Sequence, residues 1–177
     1  MDYRIIRSKR RTVSLCITPE GALEVRCPQT MTVRQIEDFV KSKEGWIKKH
    51  QRPPVPQADR LTKEQLAALK KAAEKWFPER VALFASRLGV TYGNITLRSQ
   101  HTRWGSCSGK GNLSFNCLLM LAPEAVRDYV VVHELCHRRE MNHSKAFWQL
   151  VESAFPGAGD CRRWLKENGS RLIARLP

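Results

Sequence analysis

The sequence predicts an α+β protein in which helices pack on a small, mostly antiparallel sheet. Segments with apolar residues at helical spacing alternate with short runs that favour strands and end in turns containing Gly or Pro. The 177-residue chain is 42% hydrophobic and 27% charged, which is typical of a folded, soluble protein. A chain of this length can form one full core, or one core with a small additional unit.

Residues 1–52 are predicted to form a small ββα unit. The segment TVSLCITPEGALEVRCP, residues 12–28, indicates two strands around a Pro-Glu-Gly turn. Apolar residues then recur at mostly helical spacing over residues 32–50. Residues 53–60 are rich in proline and are predicted to be a semi-rigid linker.

A larger domain is predicted over residues 61–177. A capping box at Thr62 begins a helix that Pro78 should kink or split. A strand, a glycine-rich turn and a second strand follow. Pro123, favourable in the first turn of a helix, opens a further helix that reaches His133.

The cysteines and the N-terminal residues indicate a cytoplasmic protein. None of the six cysteines forms a C-x-x-C pair, so the spacing of a zinc ribbon is missing. No apolar run approaches the roughly 18 residues of a membrane span. The first residues, MDYRIIRSKRR, contain no apolar stretch of signal-peptide length. We therefore expect reduced thiols, a cytoplasmic location and no membrane partner.

The chain is strongly basic, with 31 Lys and Arg against 17 Asp and Glu, and a net charge of +14. The net charges of residues 1–60, 61–121 and 122–177 are +6, +6 and +2. This field favours polyanions such as nucleotides or nucleic acid. A merely basic, soluble surface is an equally open interpretation, because no long basic run marks a tail.

The segment YVVVHELCH contains a motif for metal chemistry. His133 and His137 are four residues apart on the predicted helix, so their rings project from one face. Two imidazoles placed in this way can bind one Zn²⁺ ion. Glu134 lies beside the metal and can take a proton from a zinc-bound water.

Zinc in a catalytic site needs a third protein ligand, and His143 is the main candidate. It would point away from the other two on a continuous helix, so the helix must end between them. Asn142 tolerates the left-handed conformation that often follows a helix, and Ser144 can cap a new helix. A carboxylate on that next helix, Glu152, is the competing ligand.

The motifs RWGSCS, LSFN, HELCH and NHSKAFW resemble those of the YgjP-like metallopeptidase domain, a relative of the SprT and WLM zinc proteases. The resemblance is close over residues 95–165 and looser toward the N-terminus. It implies a zincin-like catalytic domain with His143 as third ligand. Glu140 stands where metzincins carry glycine, which argues against that group. The DNA-binding zinc ribbon of many SprT-like proteases is missing, so DNA targeting does not follow.

The resemblance also suggests how substrate binds. In zincin folds the strand before the active-site helix borders the cleft, and a peptide can add to that edge. We expect Leu113–Cys117 to be this strand. Arg103, Asn116 and Trp148 are candidate substrate-binding residues, with a salt bridge that shapes the glycine-rich turn as the alternative role of Arg103.

Three functions fit these observations. The first is a zinc metallopeptidase, in which a zinc-bound water activated by Glu134 attacks a peptide bond. The second is hydrolysis of nucleotide phosphoanhydrides, which would require Mg²⁺ as well. The third is a nucleic-acid-associated module in which zinc is structural. Their partners would be a peptide or protein, a nucleotide, and a nucleic acid, respectively.

Overall fold

The computed structural model describes residues 2–18, 21–50, 56 and 59–177. The chain divides into two compact units, Met1–Arg60 and Leu61–Pro177. Most of the predicted linker lies outside the described residues, as do the first two residues of the predicted Pro-Glu-Gly turn. The elements of the first unit are β1 (Arg4–Ser8), β2 (Ser14–Ile17), β3 (Leu23–Pro28), α1 (Val33–Ser42) and α2 (Glu44–His50).

The first unit is a three-stranded sheet with two helices. Its strand order is β1-β3-β2, in which β1 pairs parallel and β2 antiparallel with the central strand β3. Helix α1 begins at a complete capping box: Gln35 N donates to Thr32 Oγ1 at 3.3 Å, and Thr32 N donates to Gln35 Oε1 at 2.9 Å. Val25, Ile36 and Ile47 are fully buried and form the centre of a small core.

This architecture differs from the predicted ββα unit by a third strand and by a break in the helix. Four of the five β1 residues are exposed, so the strand has little of the apolar alternation that marks a strand in sequence. Its partner is β3, about twenty residues later, and a pairing over that distance leaves no local signal. The predicted helix is divided at Lys43, whose ψ of 11° lies outside the helical range.

The second unit combines four helices with a second small sheet. Within the described residues, no helix has both the length and the apolar character needed to cross a membrane. The elements of the second unit are α3 (Lys63–Leu88), β4 (Ile95–Arg98), β5 (Gly105–Cys107), β6 (Leu113–Asn116), a 3₁₀ helix (Cys117–Leu121), α4 (Glu124–Cys136), α5 (Lys145–Ala154) and α6 (Ala158–Ile173).

Helix α3 starts where the sequence predicts and continues through its proline. Gln65 N donates to Thr62 Oγ1 at 3.2 Å, and Thr62 N donates to Gln65 Oε1 at 2.9 Å. Pro78 lies inside one continuous helix, so the prediction of a split is wrong. Phe77, next to the proline, is fully buried in the core, and this packing offsets the missing backbone hydrogen bond. Gly89 ends the helix in the left-handed conformation, with φ of 61°.

The second sheet is mixed, whereas a mostly antiparallel sheet was predicted. Its order is β4-β6-β5, with β4 parallel and β5 antiparallel to β6. The strand expected at the cleft edge, Leu113–Cys117, therefore lies at the centre of the sheet as β6. β4 and β5 are the two edges, and the sequence predicts a turn where the structure has β5. Its three residues are too few to show alternation.

Helix α4 passes through the core of the second unit. Val130, Val131, Val132 and Leu135 are each at most 3% exposed. Phe77 of α3 stacks on Phe115 of β6 with ring centroids 4.6 Å apart. Because apolar neighbours surround most of α4, two of its acidic side chains, Asp128 and Glu134, are also removed from water.

One of these side chains, Asp128, forms a partly buried ion pair with Arg80 of α3. Arg80 Nε donates to Asp128 Oδ1 at 2.7 Å, and Arg80 Nη2 donates to Asp128 Oδ2. Asp128 is 6% exposed. Burial of such a pair costs desolvation energy, so removal of one partner leaves an uncompensated charge.

We predict that Asp128→Asn lowers the free energy of unfolding by about 3 kcal/mol. Asp160→Asn should lower it by less than about 1 kcal/mol, because the Asp160–Arg163 pair is on the surface. Urea unfolding followed by tryptophan fluorescence would measure both, since four of the five tryptophans lie in the second unit. Equal effects of the two substitutions would contradict the prediction.

Candidate metal centre

Three histidines converge at the end of α4. His133 Nε2 and His143 Nε2 are 3.0 Å apart. One ligating nitrogen from each of His133, His137 and His143 lies within 4.8 Å of the others. Two facing imidazole nitrogens at this distance repel unless a proton or a cation lies between them, so the arrangement suits a shared metal ion.

The chain returns His143 to α4 through a short connection that ends in a helix cap. Helix α4 ends at Cys136, and Ser144 caps α5 by accepting a hydrogen bond from Phe147 N at 3.3 Å. Asn142 contributes with its side chain: its Oδ1 accepts from Ser144 N at 3.2 Å. The predicted left-handed backbone at Asn142 is wrong, because no described residue other than glycine has a positive φ.

The environment favours the neutral forms of His133 and His137, which leaves a lone pair of each available to a metal. Burial, with the neighbouring His137 and His143, lowers the pKa of His133 to about 3. Burial also lowers the pKa of His137. His137 Nδ1 lies 3.0 Å from the carbonyl oxygen of Glu140, so an Nδ1–H can donate there while Nε2 faces the cluster.

Aromatic rings on α5 hold the histidines in place. Phe147 is fully buried and stacks on His137 with centroids 4.5 Å apart. Trp148 stacks on His143 at 5.6 Å, and the guanidinium of Arg162 lies 4.4 Å from the Trp148 ring centroid. Trp148 thus supports the ring of His143 on one side and contacts Arg162.

Glu134 lies against the edge strand β5 and is 5% exposed. Burial raises its pKa to about 8, while the positive charge of Arg103 acts in the opposite direction. A Cβ atom on Gly105 would lie 2.5 Å from Glu134 Oε1 and 2.7 Å from its Cγ. The carboxylate can therefore lie here only because residue 105 has no side chain.

These groups share one cavity of about 280 Å³. Of the three predicted substrate-binding residues, Arg103 alone lines it. Sequence reasoning missed the contribution of β5 and of Met141, although the glycine of the RWGS motif was a usable signal. The cavity is lined by Arg103, Gly105, Ser106, Cys107, His133, Glu134, His137, Met141 and His143.

Asn116, one of the predicted substrate-binding residues, lies outside the cavity lining and bonds to backbone groups. It is fully buried. Its Nδ2 donates to the carbonyl oxygens of Gln100 at 2.7 Å and Arg103 at 3.1 Å, and its Oδ1 accepts from Leu118 N at 3.1 Å. Asn116 therefore fixes the loop that carries Arg103.

The competing ligand Glu152 lies outside the histidine cluster. Its Oε1 accepts a hydrogen bond from Gly157 N at 3.3 Å, near the end of α5. In the part of the chain that the structure describes, the three histidines are the one group of His, Cys, Asp and Glu side chains arranged to hold a metal.

Arg138 fastens the sheet to the end of α4. Its Nε donates to the carbonyl oxygen of Thr91 at 2.9 Å, and its Nη1 lies 3.4 Å from that of Gly109. The guanidinium passes over Gly111, where a Cβ would lie 2.9 Å from Cζ. The β5–β6 turn is thus held by the residue that directly follows His137.

Three histidines beside a glutamate and a sheet edge are the kind of arrangement that metal-dependent hydrolases use. The sequence matches the family profile described as YgjP-like, metallopeptidase domain, over residues 11–66 and 51–168. The chain therefore belongs to the YgjP-like metallopeptidase domain family. Membership in this family implies a metal ion, and the three-histidine cluster could hold it.

Two solved structures of metallopeptidase zymogens are similar to this chain. Abylysin of Pyrococcus abyssi is 23% identical, with 51% of this chain and 93% of that chain covered and a TM-score of 0.46. Jannalysin of Methanocaldococcus jannaschii is 20% identical, with 55% and 98% covered and a TM-score of 0.46. No curated protein matches the sequence significantly.

We predict that Gly105→Ala lowers the rate of peptide hydrolysis by about 100-fold, because the new methyl group displaces the Glu134 carboxylate. The metal content should stay at the level of the parent, since Gly105 is not part of the histidine cluster. Steady-state kinetics together with elemental analysis would measure both effects.

Gly109→Ala, in the adjoining turn, is the matched control. A Cβ there meets no atom within 4 Å, and neither glycine has a positive φ. Its activity should lie within about twofold of the parent. If Gly105→Ala were as active as Gly109→Ala, the contact with Glu134 would have no catalytic importance.

Proposed function

We propose that this protein is a zinc-dependent peptidase whose second unit is a zincin-like catalytic domain. One observation carries the proposal: three imidazole nitrogens within 4.8 Å of one another share a cavity with a buried glutamate. His133, His137 and His143 would hold the zinc ion, and Glu134 would act as the general base.

The donor set supports zinc over the alternatives. Three nitrogen ligands with one position left open are typical of catalytic zinc, whereas structural zinc sites are usually closed by four protein ligands. Magnesium prefers oxygen ligands, which the cluster does not offer. Nucleotide hydrolysis thus has the basic charge of the chain in its favour but no matching metal site among the described residues.

A bound zinc ion would polarise the scissile carbonyl and make a water molecule more acidic. Glu134 would accept a proton from the attacking water as the oxygen bonds to the carbonyl carbon. The same carboxyl group would then donate that proton to the amine as the carbon–nitrogen bond breaks. Burial strengthens Glu134 as a base, while the positive charge of a metal would favour its ionised form at neutral pH.

The position of strand β5 supports the proposal that the substrate is an extended peptide. It lies at the edge of its sheet, and all three of its residues line the cavity. A substrate can add to such an edge by backbone hydrogen bonds, with its scissile bond carried toward the histidines. We therefore assign peptide binding to β5, and not to Leu113–Cys117, the segment that the sequence predicts for it.

We predict that His143→Ala lowers zinc affinity by at least about 100-fold, because it removes one of three ligands. Glu152→Ala should retain parental zinc affinity, since the Glu152 carboxylate accepts a hydrogen bond from a backbone amide outside the cluster. Competition with a chromophoric chelator would measure both dissociation constants. The reverse ranking would show that Glu152 is the ligand.

We predict that Glu134→Gln binds zinc as the parent does but hydrolyses peptides about 10²–10⁴-fold more slowly, because glutamine cannot accept a proton. The measurement is turnover of a quenched fluorescent peptide library by protein of verified zinc content. Parental activity in Glu134→Gln would exclude Glu134 as the base. A zinc-loaded parent that cleaves no peptide would count against the peptidase proposal.

A further inference from the structure

Arg103 lines the cavity and forms no ion pair with any described residue. It lines the cavity together with the three histidines and Glu134, and its side chain is exposed. Within residues 59–177, no acceptor forms a hydrogen bond or ion pair with its guanidinium. Among these described residues, the predicted salt bridge that would shape the glycine-rich turn is therefore not found.

Other arginines around the site have defined partners. Arg138 donates to backbone carbonyls of two loops, and Arg139 donates to the carbonyl oxygen of Leu88. Arg162 lies over Trp148. These side chains stabilise the fold around the histidines, whereas that of Arg103 faces the cavity.

The backbone of Arg103 is fixed even though its head group is not. Its carbonyl oxygen accepts hydrogen bonds from Asn116 Nδ2 at 3.1 Å and Gln100 Nε2 at 3.4 Å. The next carbonyl, that of Trp104, accepts from Asn116 N at 2.8 Å. Because Asn116 is fully buried, Arg103 is held two residues before the start of β5 with its side chain available to a ligand.

We propose that Arg103 binds a carboxylate of the peptide substrate, located on the C-terminal side of the scissile bond. The inference rests on the proposed peptidase function. A guanidinium recognises a carboxylate through two parallel hydrogen bonds, which favours this group over a neutral one.

The direction of β5 places the carboxylate on that side. The strand runs from Gly105 to Cys107, so a peptide paired antiparallel to it runs from Cys107 toward Arg103. Antiparallel pairing is slightly more stable per residue than parallel pairing. The C-terminal part of the bound peptide therefore lies next to Arg103.

Two sources can supply the carboxylate: the free C-terminus of a peptide, or an Asp or Glu side chain just after the scissile bond. Three fluorogenic peptides that differ only in the presence and position of the carboxylate separate them. The first ends in a free acid close to the scissile bond, the second is its C-terminal amide, and the third is the amide with Glu in place of Gln after the scissile bond.

The test compares kcat/KM for these peptides in the parent, Arg103→Gln and Arg103→Lys. We expect the parent to prefer one carboxylate peptide over the neutral amide by about tenfold or more. The preference should disappear in Arg103→Gln. It should be partly retained in Arg103→Lys, which keeps the charge but lacks the planar guanidinium with its two parallel donors.

Arg98→Gln is the matched control for net charge. Arg98 is an exposed residue of β4, at the opposite edge of the same sheet, and it does not line the cavity. Its preference for the carboxylate peptide should match that of the parent. A loss as large as that in Arg103→Gln would assign the preference to general electrostatic attraction and overturn the proposal.

A binding measurement separates this proposal from the peptidase function. Fluorescence anisotropy of the labelled peptides is recorded with zinc-loaded Glu134→Gln, with and without Arg103→Gln. We expect Arg103→Gln to weaken binding of the carboxylate peptide about tenfold and to leave binding of the amide unchanged. Equal weakening of both peptides would overturn the role of Arg103. Failure of the parent to cleave any peptide would count against the peptidase function alone.

Discussion

The burial of helix α4 is the constraint on which the site depends. Its valines and Leu135 fix the rotation of the helix about its axis, because each of them contacts the core. With that rotation set, His133 and His137 face α5, and Glu134 faces the backbone of β5. The same burial removes water from Glu134 and His133. It therefore raises the pKa of Glu134 and lowers that of His133, which favours the neutral form of each side chain. Packing and electrostatics in this site therefore have one cause.

The part of the site that could be predicted from sequence is the part encoded locally. The spacing of His133 and His137 is a property of one helix, and the return of His143 depends on Ser144, a cap that sequence rules recognise. The start of α3 was predicted correctly for the same reason. In each case, residues three or four positions apart contain the whole signal.

The features that sequence reasoning missed depend on pairing between distant segments. The order β4-β6-β5 is not visible in any one strand, so the central strand was taken for the edge. Asn116 is also not recognisable as a structural residue from its neighbours in sequence, because its amide satisfies the backbone of a loop more than ten residues away. Gly105 is meaningful only once Glu134 is known to lie against it.

The bonds of Arg138 have a consequence for how this protein can vary. They are directed at carbonyl oxygens, at Thr91 and in the β5–β6 turn, and every amino acid supplies such an oxygen. The turn can therefore exchange its exposed side chains without loosening its attachment, provided that Gly111 keeps the guanidinium's path clear. Sequence variation in that turn can therefore leave the distance between the histidine cluster and the edge strand unchanged.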